Sequence, residues 1–174
     1  MINKFNEDEL NDFKKLAELY PIEVRFLEYM PFSGNRWERE KVISERKVLE
    51  ILNSESNSDS DQKLQKLPPD TLNDVAKFYS TKNFKGRLGF ISTVTSPFCS
   101  GCNRIRITAD GYMKNCLFSE NETDLKEILR DGGLVDEIEL YEKLCEKISE
   151  NVRLKKFSRN LDKIGDRPMV KIGG

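Results

Sequence analysis

The sequence has 174 residues, of which 34% are charged and 37% hydrophobic, and its formal net charge at pH 7 is −1. This balance gives no general attraction to nucleic acid or to an anionic membrane surface, and no apolar run approaches the roughly 20 residues of a transmembrane helix. We therefore expect no nucleic-acid partner and no membrane, and any anion site must be a local group of arginines and lysines.

Histidine is absent from the sequence. Its absence excludes Ser-His-Asp and Cys-His catalysis, together with the zinc sites that use histidine ligands. The first residues, MINKFNEDEL, lack the apolar stretch of a secretory signal. Four cysteines in such a chain are more typical of metal binding in a reducing compartment than of disulfide bonds.

The N-terminal segment is predicted to form one helix and one strand. Apolar residues at helical spacing predict an amphipathic helix over residues 6–20, with Asn6 as N-cap and with Phe5 packed against Leu10 across the cap. Alternating apolar residues predict a strand over 22–29. One helix–strand unit cannot make a sheet, so we expect this segment to be the end of a larger α/β domain.

A loop is predicted over residues 30–37, at the carboxyl end of the strand, where α/β folds place ligand contacts. A helix over 44–52 follows, with Ser44 as its N-cap, and residues 54–62 have the composition of a polar linker.

Residues 71–85 are either helical or irregular, and a strand is predicted over 89–95. Two strands at 103–109 and 112–118 flank Asp110-Gly111, the pattern of a β-hairpin. We expect helices at 123–130 and 134–150, and we expect Cys145, on the apolar stripe of the second, to be a buried core thiol.

The remaining three cysteines form the most informative motif. Cys99, Cys102 and Cys116 are spaced C-x2-C-x13-C, and the predicted hairpin returns Cys116 toward Cys102. Three interpretations stay open: a disulfide with one remaining thiol, a zinc site completed by Cys145 or a carboxylate, and an iron–sulfur cluster. We favour the cluster, because three thiolates on four irons leave one iron open for a substrate.

Two arginines lie between these cysteines. Arg104 and Arg106 are two residues apart, so on a strand they would project from the same face. Guanidinium groups arranged in this way can bind phosphate oxygens in bidentate fashion. The alternative is a pair of solvated surface arginines.

The segment FCSGCNRIRITADGYMKNCLF resembles the C-terminal cluster-binding segment of the MoaA family, the radical S-adenosylmethionine enzymes that act as GTP 3′,8-cyclases in molybdenum cofactor biosynthesis. The resemblance extends to VRFLEYMPFSGNRW at 24–37 and to RPMVKIGG at 167–174. It therefore covers nearly the whole chain.

The resemblance implies a role for each residue of the motif. Cys99, Cys102 and Cys116 would ligate a [4Fe–4S] cluster whose open iron binds the guanine of GTP. Arg104 and Arg106 would be catalytic residues that contact GTP or the reaction intermediate.

Four further positions carry roles by the same resemblance. Arg25 would bind the triphosphate of GTP, and Met30 would lie beside the adenine of S-adenosylmethionine. Gly173 and Gly174 match a terminal double glycine that reaches into the active site. Glycine suits such a position because it has no side chain to clash with ligands.

The implied fold is α/β. Residues 1–52 would be the last elements of an incomplete, TIM-like radical S-adenosylmethionine barrel, 53–70 a variable polar linker, and 71–174 an α+β domain whose hairpin carries the cluster. The sequence contains no C-x3-C-x2-C, the motif that binds the family's other [4Fe–4S] cluster, which cleaves S-adenosylmethionine. We therefore expect the chain to be a C-terminal part, inactive by itself.

The implied reaction converts GTP to (8S)-3′,8-cyclo-7,8-dihydroguanosine 5′-triphosphate. The implied partners are GTP, S-adenosylmethionine, a MoaC-type cyclic pyranopterin monophosphate synthase and, as one option, a second copy of the chain. The compartment would be the cytoplasm in a prokaryote, with the mitochondrial matrix as an option in a eukaryote. The rival function is a non-catalytic module that uses the three cysteines to bind zinc or an electron-transfer cluster.

Overall fold

The structure, a computed structural model, describes residues 1–54, 62–130, 136–156 and 168. Its fold is mixed α/β, as predicted. The helices are α1 (Leu10–Leu19), α2 (Glu45–Ser54), α3 (Leu125–Leu129) and α4 (Glu137–Arg153). The strands are β1 (Glu23–Leu27), β2 (Gln65–Lys66), β3 (Lys77–Ser80), β4 (Arg87–Ile91), β5 (Arg106–Ile107), β6 (Tyr112–Lys114) and β7 (Thr123–Asp124).

The chain divides into two compact units: Met1–Met30 with Trp37–Cys102, and Pro31–Arg36 with Asn103–Gly174. The predicted division into 1–52, 53–70 and 71–174 stays a prediction. One strand pairing joins two of the predicted segments, because β1 of the first segment pairs with β4 of the last.

The first unit is built on a four-stranded sheet of order β1-β4-β3-β2. Strands β1 and β4 are parallel, and the register runs from Glu23 opposite Arg87 to Leu27 opposite Ile91. The other two pairings are antiparallel. Alternate residues of β1 and β4 pack against α1 and α2, and this core contains Leu10, Ala17, Phe26, Val48, Leu52, Leu88 and Phe90.

The second unit contains an antiparallel sheet of order β5-β6-β7 together with α3 and α4. Met113 of β6 and Leu125 of α3 are buried. Phe32 joins this unit from the earlier loop, since its ring stacks on that of Phe118 with 5.1 Å between the ring centroids.

The predicted start of the first helix is wrong by several residues. Helix α1 begins at Leu10, and the side chain of Asn6 accepts a hydrogen bond from the backbone N–H of Ile2 at 2.9 Å instead of capping it. Lys4 has a positive φ of 57°, so residues 2–6 form a turn. Phe5 is 77% exposed and makes no staple with Leu10.

The middle of the chain agrees with prediction in part. Ser44 caps α2 as expected, because its hydroxyl accepts a hydrogen bond from the N–H of Lys47 at 3.3 Å. Residues 71–85, expected to be helical or irregular, contain β3, and the strand expected at 89–95 is Arg87–Ile91. Of the polar linker, residues 55–61 lie outside the described part of the chain.

The prediction that Cys145 is a buried core thiol is wrong, since the structure has it exposed. Tyr141 and Ile138, on the same apolar stripe, are 68% and 70% exposed. Helical spacing shows which side chains share a face, but burial needs a second element against that face. Helix α4 instead buries Asn151, near its C-terminal end.

Among the helices that the structure describes, none has both the length and the apolar character that crossing a bilayer requires.

Candidate functional site

The C-x2-C motif forms a tight turn in the first unit. Residues Cys99–Gly101 make one turn of 3-10 helix, and the N–H of Cys102 donates to the carbonyl of Cys99 at 3.3 Å. Both cysteines are partly buried, and all four cysteines of the chain are thiols rather than disulfides. The structure therefore gives no support to the disulfide interpretation.

The hairpin forms at the predicted Asp110-Gly111. Gly111 has a φ of +84°, a conformation that favours glycine, and its N–H donates to the carbonyl of Thr108 at 3.0 Å. Strand pairing is shorter than expected, with Arg106 opposite Lys114 and Ile107 opposite Met113.

The two arginines differ in their backbone setting. Arg106 belongs to β5, which begins there, whereas Arg104 precedes the strand by two residues. The prediction that both lie on one strand is therefore wrong, and the prediction that they project from the same face stays a prediction. Their roles toward a ligand stay a prediction.

Cys116 follows β6 in the second unit and is partly buried. Cys99 and Cys102 belong to the first unit. Within the described residues, no three Cys, Asp or Glu side chains form a group that could hold a metal ion. Shared ligation by the three cysteines therefore stays a prediction. The donor set itself suits an iron–sulfur cluster, because thiolates are the ligands that such clusters use.

The strand leading to Cys116 carries polar side chains that the sequence did not reveal. Lys114 is 2% exposed, and its ammonium pairs with Glu122 at 3.1 Å. Asn115, also buried, donates from its amide to the backbone carbonyl of Asn151 at 2.8 Å. These contacts fix the last residue of β6 and the residue after it, immediately before Cys116.

Arg25 projects from the sheet face opposite the helices of the first unit. Its Nε donates to Glu23, and its guanidinium lies 5.8 Å from the centroid of the Phe78 ring. The terminal nitrogens of Arg25 make no hydrogen bond to any residue that the structure describes, and its side chain is 49% exposed. They can therefore reach a ligand while the Nε stays anchored.

Arg87, next to Arg25 on the same face of the sheet, makes hydrogen bonds to two carboxylates and stacks on an aromatic ring. It donates to Glu23 at 2.7 and 2.9 Å and to both carboxylate oxygens of Asp70, and it stacks 3.7 Å from the centroid of Phe78. Burial works to raise the pKa of Glu23, but hydrogen bonds from Arg25 and Arg87 outweigh it, so that this pKa lies below its ordinary value. Glu23 is thus held as a carboxylate that joins the two arginines.

Glu28 is a further residue that sequence reasoning missed, and it positions the loop after β4. Its carboxylate is 6% exposed and accepts the N–H groups of Val94 at 2.7 Å and Thr95 at 2.9 Å, as well as the hydroxyl of Thr95. The loop after β4 leads to Cys99, so Glu28 fixes the approach to the C-x2-C turn. Strand β1 already contains the charged residues Glu23 and Arg25, so no clear sign in the sequence showed that Glu28 would be buried.

Glu45, at the start of α2, is the centre of a further polar cluster. It accepts hydrogen bonds from Lys77 at 2.8 Å, Tyr79 at 2.7 Å and Ser92 at 2.9 Å. Burial works to raise the pKa of Glu45, but these donors more than offset it and lower the pKa. Burial, and then the bond to Glu45, raise the pKa of Tyr79.

Two sets of predicted site residues remain. Met30 lies after β1 and is partly buried. Gly173 and Gly174 lie outside the described residues. Their predicted contacts with ligands stay predictions.

Comparison with known proteins places this chain among molybdenum cofactor synthesis proteins. The family model described as Molybdenum Cofactor Synthesis C matches residues 22–160. The chain is 42% identical over 137 residues to molybdenum cofactor biosynthesis protein 1 of Drosophila melanogaster, covering 79% of this chain and 23% of that protein.

Two further relatives carry the name of an enzyme. Identity is 37% over 173 residues to the mitochondrial GTP 3′,8-cyclase of Arabidopsis thaliana, covering 97% of this chain and 41% of the relative. It is 35% over 174 residues to the GTP 3′,8-cyclase of Clostridium perfringens, covering 100% of this chain and 51% of the relative. The chain thus spans about half the length of that relative, and less of the others. It belongs to the molybdenum cofactor synthesis family and corresponds to the C-terminal portion of the MoaA-type GTP 3′,8-cyclases.

Proposed function

We propose that this chain is the GTP-binding part of a GTP 3′,8-cyclase. The observation that carries the proposal is the tight Cys99–Gly101 turn followed by the Asp-Gly hairpin that leads to Cys116, in a chain of this family. Cys99, Cys102 and Cys116 would supply three thiolates to a [4Fe–4S] cluster.

The cluster, when bound, would offer one iron without a protein ligand, to which the guanine of GTP binds. The chain's own contribution is to hold the base there and to keep water and other ligands away. Partial burial of all three cysteines supports this role, because a site that excludes solvent strengthens the interactions inside it.

The arginines would bind the charged end of the nucleotide. Arg25 has exposed terminal nitrogens and an anchored Nε, an arrangement that suits bidentate binding of a phosphate. Arg104, which lies two residues before β5, and Arg106, the first residue of β5, would bind GTP or the reaction intermediate. A chain with a net charge of −1 needs such local cations to bind a triphosphate.

The remaining roles follow the family. Residues 1–52 would be the end of an incomplete TIM-like barrel, 53–70 a linker and 71–174 the cluster-binding domain. Met30 would contact S-adenosylmethionine, and Gly173 and Gly174 would reach the reacting nucleotide. The product would pass to a MoaC-type synthase, and a homodimer is one assembly consistent with the proposal.

In the whole enzyme, GTP would be cyclised by a bond between C3′ of the ribose and C8 of guanine. That reaction uses S-adenosylmethionine and a further [4Fe–4S] cluster held by C-x3-C-x2-C, a motif that this sequence does not contain. By itself, the 174-residue chain would therefore bind GTP without turning it over.

The test is anaerobic reconstitution of the whole chain with iron and sulfide. We expect about four irons and four sulfides per chain. Cys116→Ser should lose the cluster, whereas Cys145→Ser, which changes an exposed thiol, should retain it. One tightly bound zinc per chain and no affinity for GTP would favour the non-catalytic metal module instead.

A further inference from the structure

The two arms of the hairpin stop pairing just before the predicted cluster residues. The last pair of the ladder is Arg106 opposite Lys114. One residue beyond β6 and two before β5, the carbonyl oxygens of Asn115 and Arg104 accept hydrogen bonds from the same ammonium group, that of Lys155. The distance from Lys155 Nζ to the carbonyl oxygen of Asn115 is 2.7 Å.

Lys155 comes from a distant part of the chain. It follows the end of α4 and lies 51 residues after Arg104 and 40 after Asn115. A lysine near the end of a helix can turn back to the last carbonyls of that helix. Here the ammonium group of Lys155 bonds instead to one carbonyl on each arm of the hairpin. It joins the two arms just beyond the last pair of strand residues. An ammonium group suits this task because it has three donors, and its charge strengthens each bond.

Helix α4 makes a second contact with the same strand end. The backbone carbonyl of Asn151 accepts the side-chain amide of Asn115 at 2.8 Å. The amide of Asn151 itself donates to the hydroxyl of Thr123 on β7 at 2.7 Å. Asn151 lies in the last turn of α4, and Lys155 lies two residues beyond its end. The C-terminal end of α4 and the residues after it therefore hold Asn115 through both its side chain and its backbone, directly before Cys116.

We infer that Lys155 is a positioning residue for Cys116 and for the arginine-bearing arm of the hairpin. It sets the spacing between the two arms at the level of Arg104 and Asn115, so that the thiol of Cys116 and the guanidinium groups keep fixed places. The inference rests on the proposed function, in which Cys116 is a cluster ligand. It adds a residue from the C-terminal segment to the machinery that holds the cluster.

The first experiment needs no metal. In the whole cluster-free chain, the rate at which iodoacetamide alkylates Cys116 is compared with the rate for the exposed Cys145, an internal reference. Lys155→Met should raise the relative rate at Cys116 about fivefold, because loss of the contact lets the strand end open. Lys155→Arg, which keeps the charge and several donors, should restore the original rate. Lys156→Met, at the exposed neighbouring lysine, should leave it unchanged.

The second experiment measures cluster retention in the same four proteins, the unchanged chain included. After anaerobic reconstitution and a challenge with an iron chelator, Lys155→Met should lose iron about tenfold faster than the unchanged chain, and Lys155→Arg should behave like the unchanged chain. Far-ultraviolet circular dichroism checks that each variant is folded. If Lys155→Met does not fold, Lys155→Gln, which keeps two N–H donors on a shorter, uncharged side chain, should give an intermediate effect in both experiments.

The outcomes separate the inference from the proposed function. If Lys155→Met and Lys155→Gln match the unchanged chain in alkylation and in iron loss, Lys155 does not position Cys116, and the inference is overturned whether or not a cluster forms. If no variant binds a cluster but Lys155→Met still exposes Cys116, the positioning role stands and the cluster proposal fails.

Discussion

Glu23 and Arg87 face each other across the parallel strands β1 and β4, and two nitrogens of Arg87 donate to one oxygen of Glu23 at 2.7 and 2.9 Å. The other oxygen of Glu23 accepts from Arg25. One carboxylate therefore links Arg87, which makes four hydrogen bonds, to Arg25, whose side chain is 49% exposed. This geometry anchors the guanidinium of Arg25 at its Nε.

Glu23→Gln should weaken the binding of GTP to the reconstituted chain. The amide is a weaker acceptor than the carboxylate, so Arg25 loses part of its anchor, at a cost of about 1 kcal/mol or roughly fivefold in Kd. Calorimetric titration with GTP and with guanosine separates an effect on phosphate binding from an effect on the binding of the base. Guanosine, which has no phosphates, should bind both proteins alike.

Asp70→Asn is the matched control for this prediction, because Asp70 bonds to Arg87 and not to Arg25. We expect less than about a twofold change in Kd for GTP. An equal loss of affinity for guanosine and GTP in Glu23→Gln would show that Glu23 acts through the fold and not through phosphate binding.

Glu45 should make the stability of the chain depend on pH in the acid range. Its pKa is lowered in the folded state, so its stabilising effect is present above the pKa of the unfolded chain and is lost as the pH falls through the folded pKa. In urea unfolding from about pH 6 to pH 3, Glu45→Gln should show a smaller fall in the free energy of unfolding than the unchanged chain.

Glu50→Gln provides the comparison for Glu45, since Glu50 lies on the same helix with its side chain 55% exposed. Its pH profile should run parallel to that of the unchanged chain. If the pH profile of Glu45→Gln also runs parallel to that of the unchanged chain, the contradiction is direct. The hydrogen bonds from Lys77, Tyr79 and Ser92 then do not stabilise the charged form of Glu45.

The hairpin turn should depend on Gly111. Its φ is +84°, and a Cβ added there would clash with the side chain of Lys126. Gly111→Ala should lower the free energy of unfolding by about 1–2 kcal/mol. Gly101→Ala, where no atom lies within 4 Å of the added Cβ, should change it by less than about 0.5 kcal/mol. Equal effects at both glycines would contradict the turn geometry.

The hairpin could be predicted from sequence because its determinant is local. Asp-Gly between two apolar segments specifies a left-handed turn residue, and Gly111 adopts it. The N-cap at Ser44 was predictable for the same reason. Strand β3 was missed because its four residues contain two polar ones, and its pairing with β4 decides its conformation.

The residues that support the candidate site were harder to predict. Glu28 bonds to residues 66 and 67 positions away, and Lys155 to one 51 positions away. No local pattern shows that such groups meet. The cysteine spacing was visible because the three cysteines lie close together in sequence, whereas their role as cluster ligands stays a prediction. The exposure of Cys145 shows the limit of periodicity, which identifies a helix face but not its neighbour.

The buried pair of Lys114 and Glu122 should show strong coupling. Glu122→Gln leaves the ammonium of Lys114, 2% exposed, without its carboxylate, at a cost of about 3 kcal/mol. Adding Lys114→Met to Glu122→Gln should recover part of this loss, because no buried charge is then left unpaired. Urea unfolding of both single variants and the double variant gives the coupling energy. Additive losses would mean that the two groups do not depend on each other.

The most direct test of the central claim is electron paramagnetic resonance of the reduced, reconstituted chain with and without GTP. If Cys99, Cys102 and Cys116 hold a [4Fe–4S] cluster whose open iron binds guanine, the spectrum will shift when GTP is added. With guanine labelled with nitrogen-15, the shifted spectrum will also show coupling to the labelled nitrogen. ATP should cause neither change. A spectrum that GTP leaves unaltered, in a chain that still binds GTP, would contradict the account.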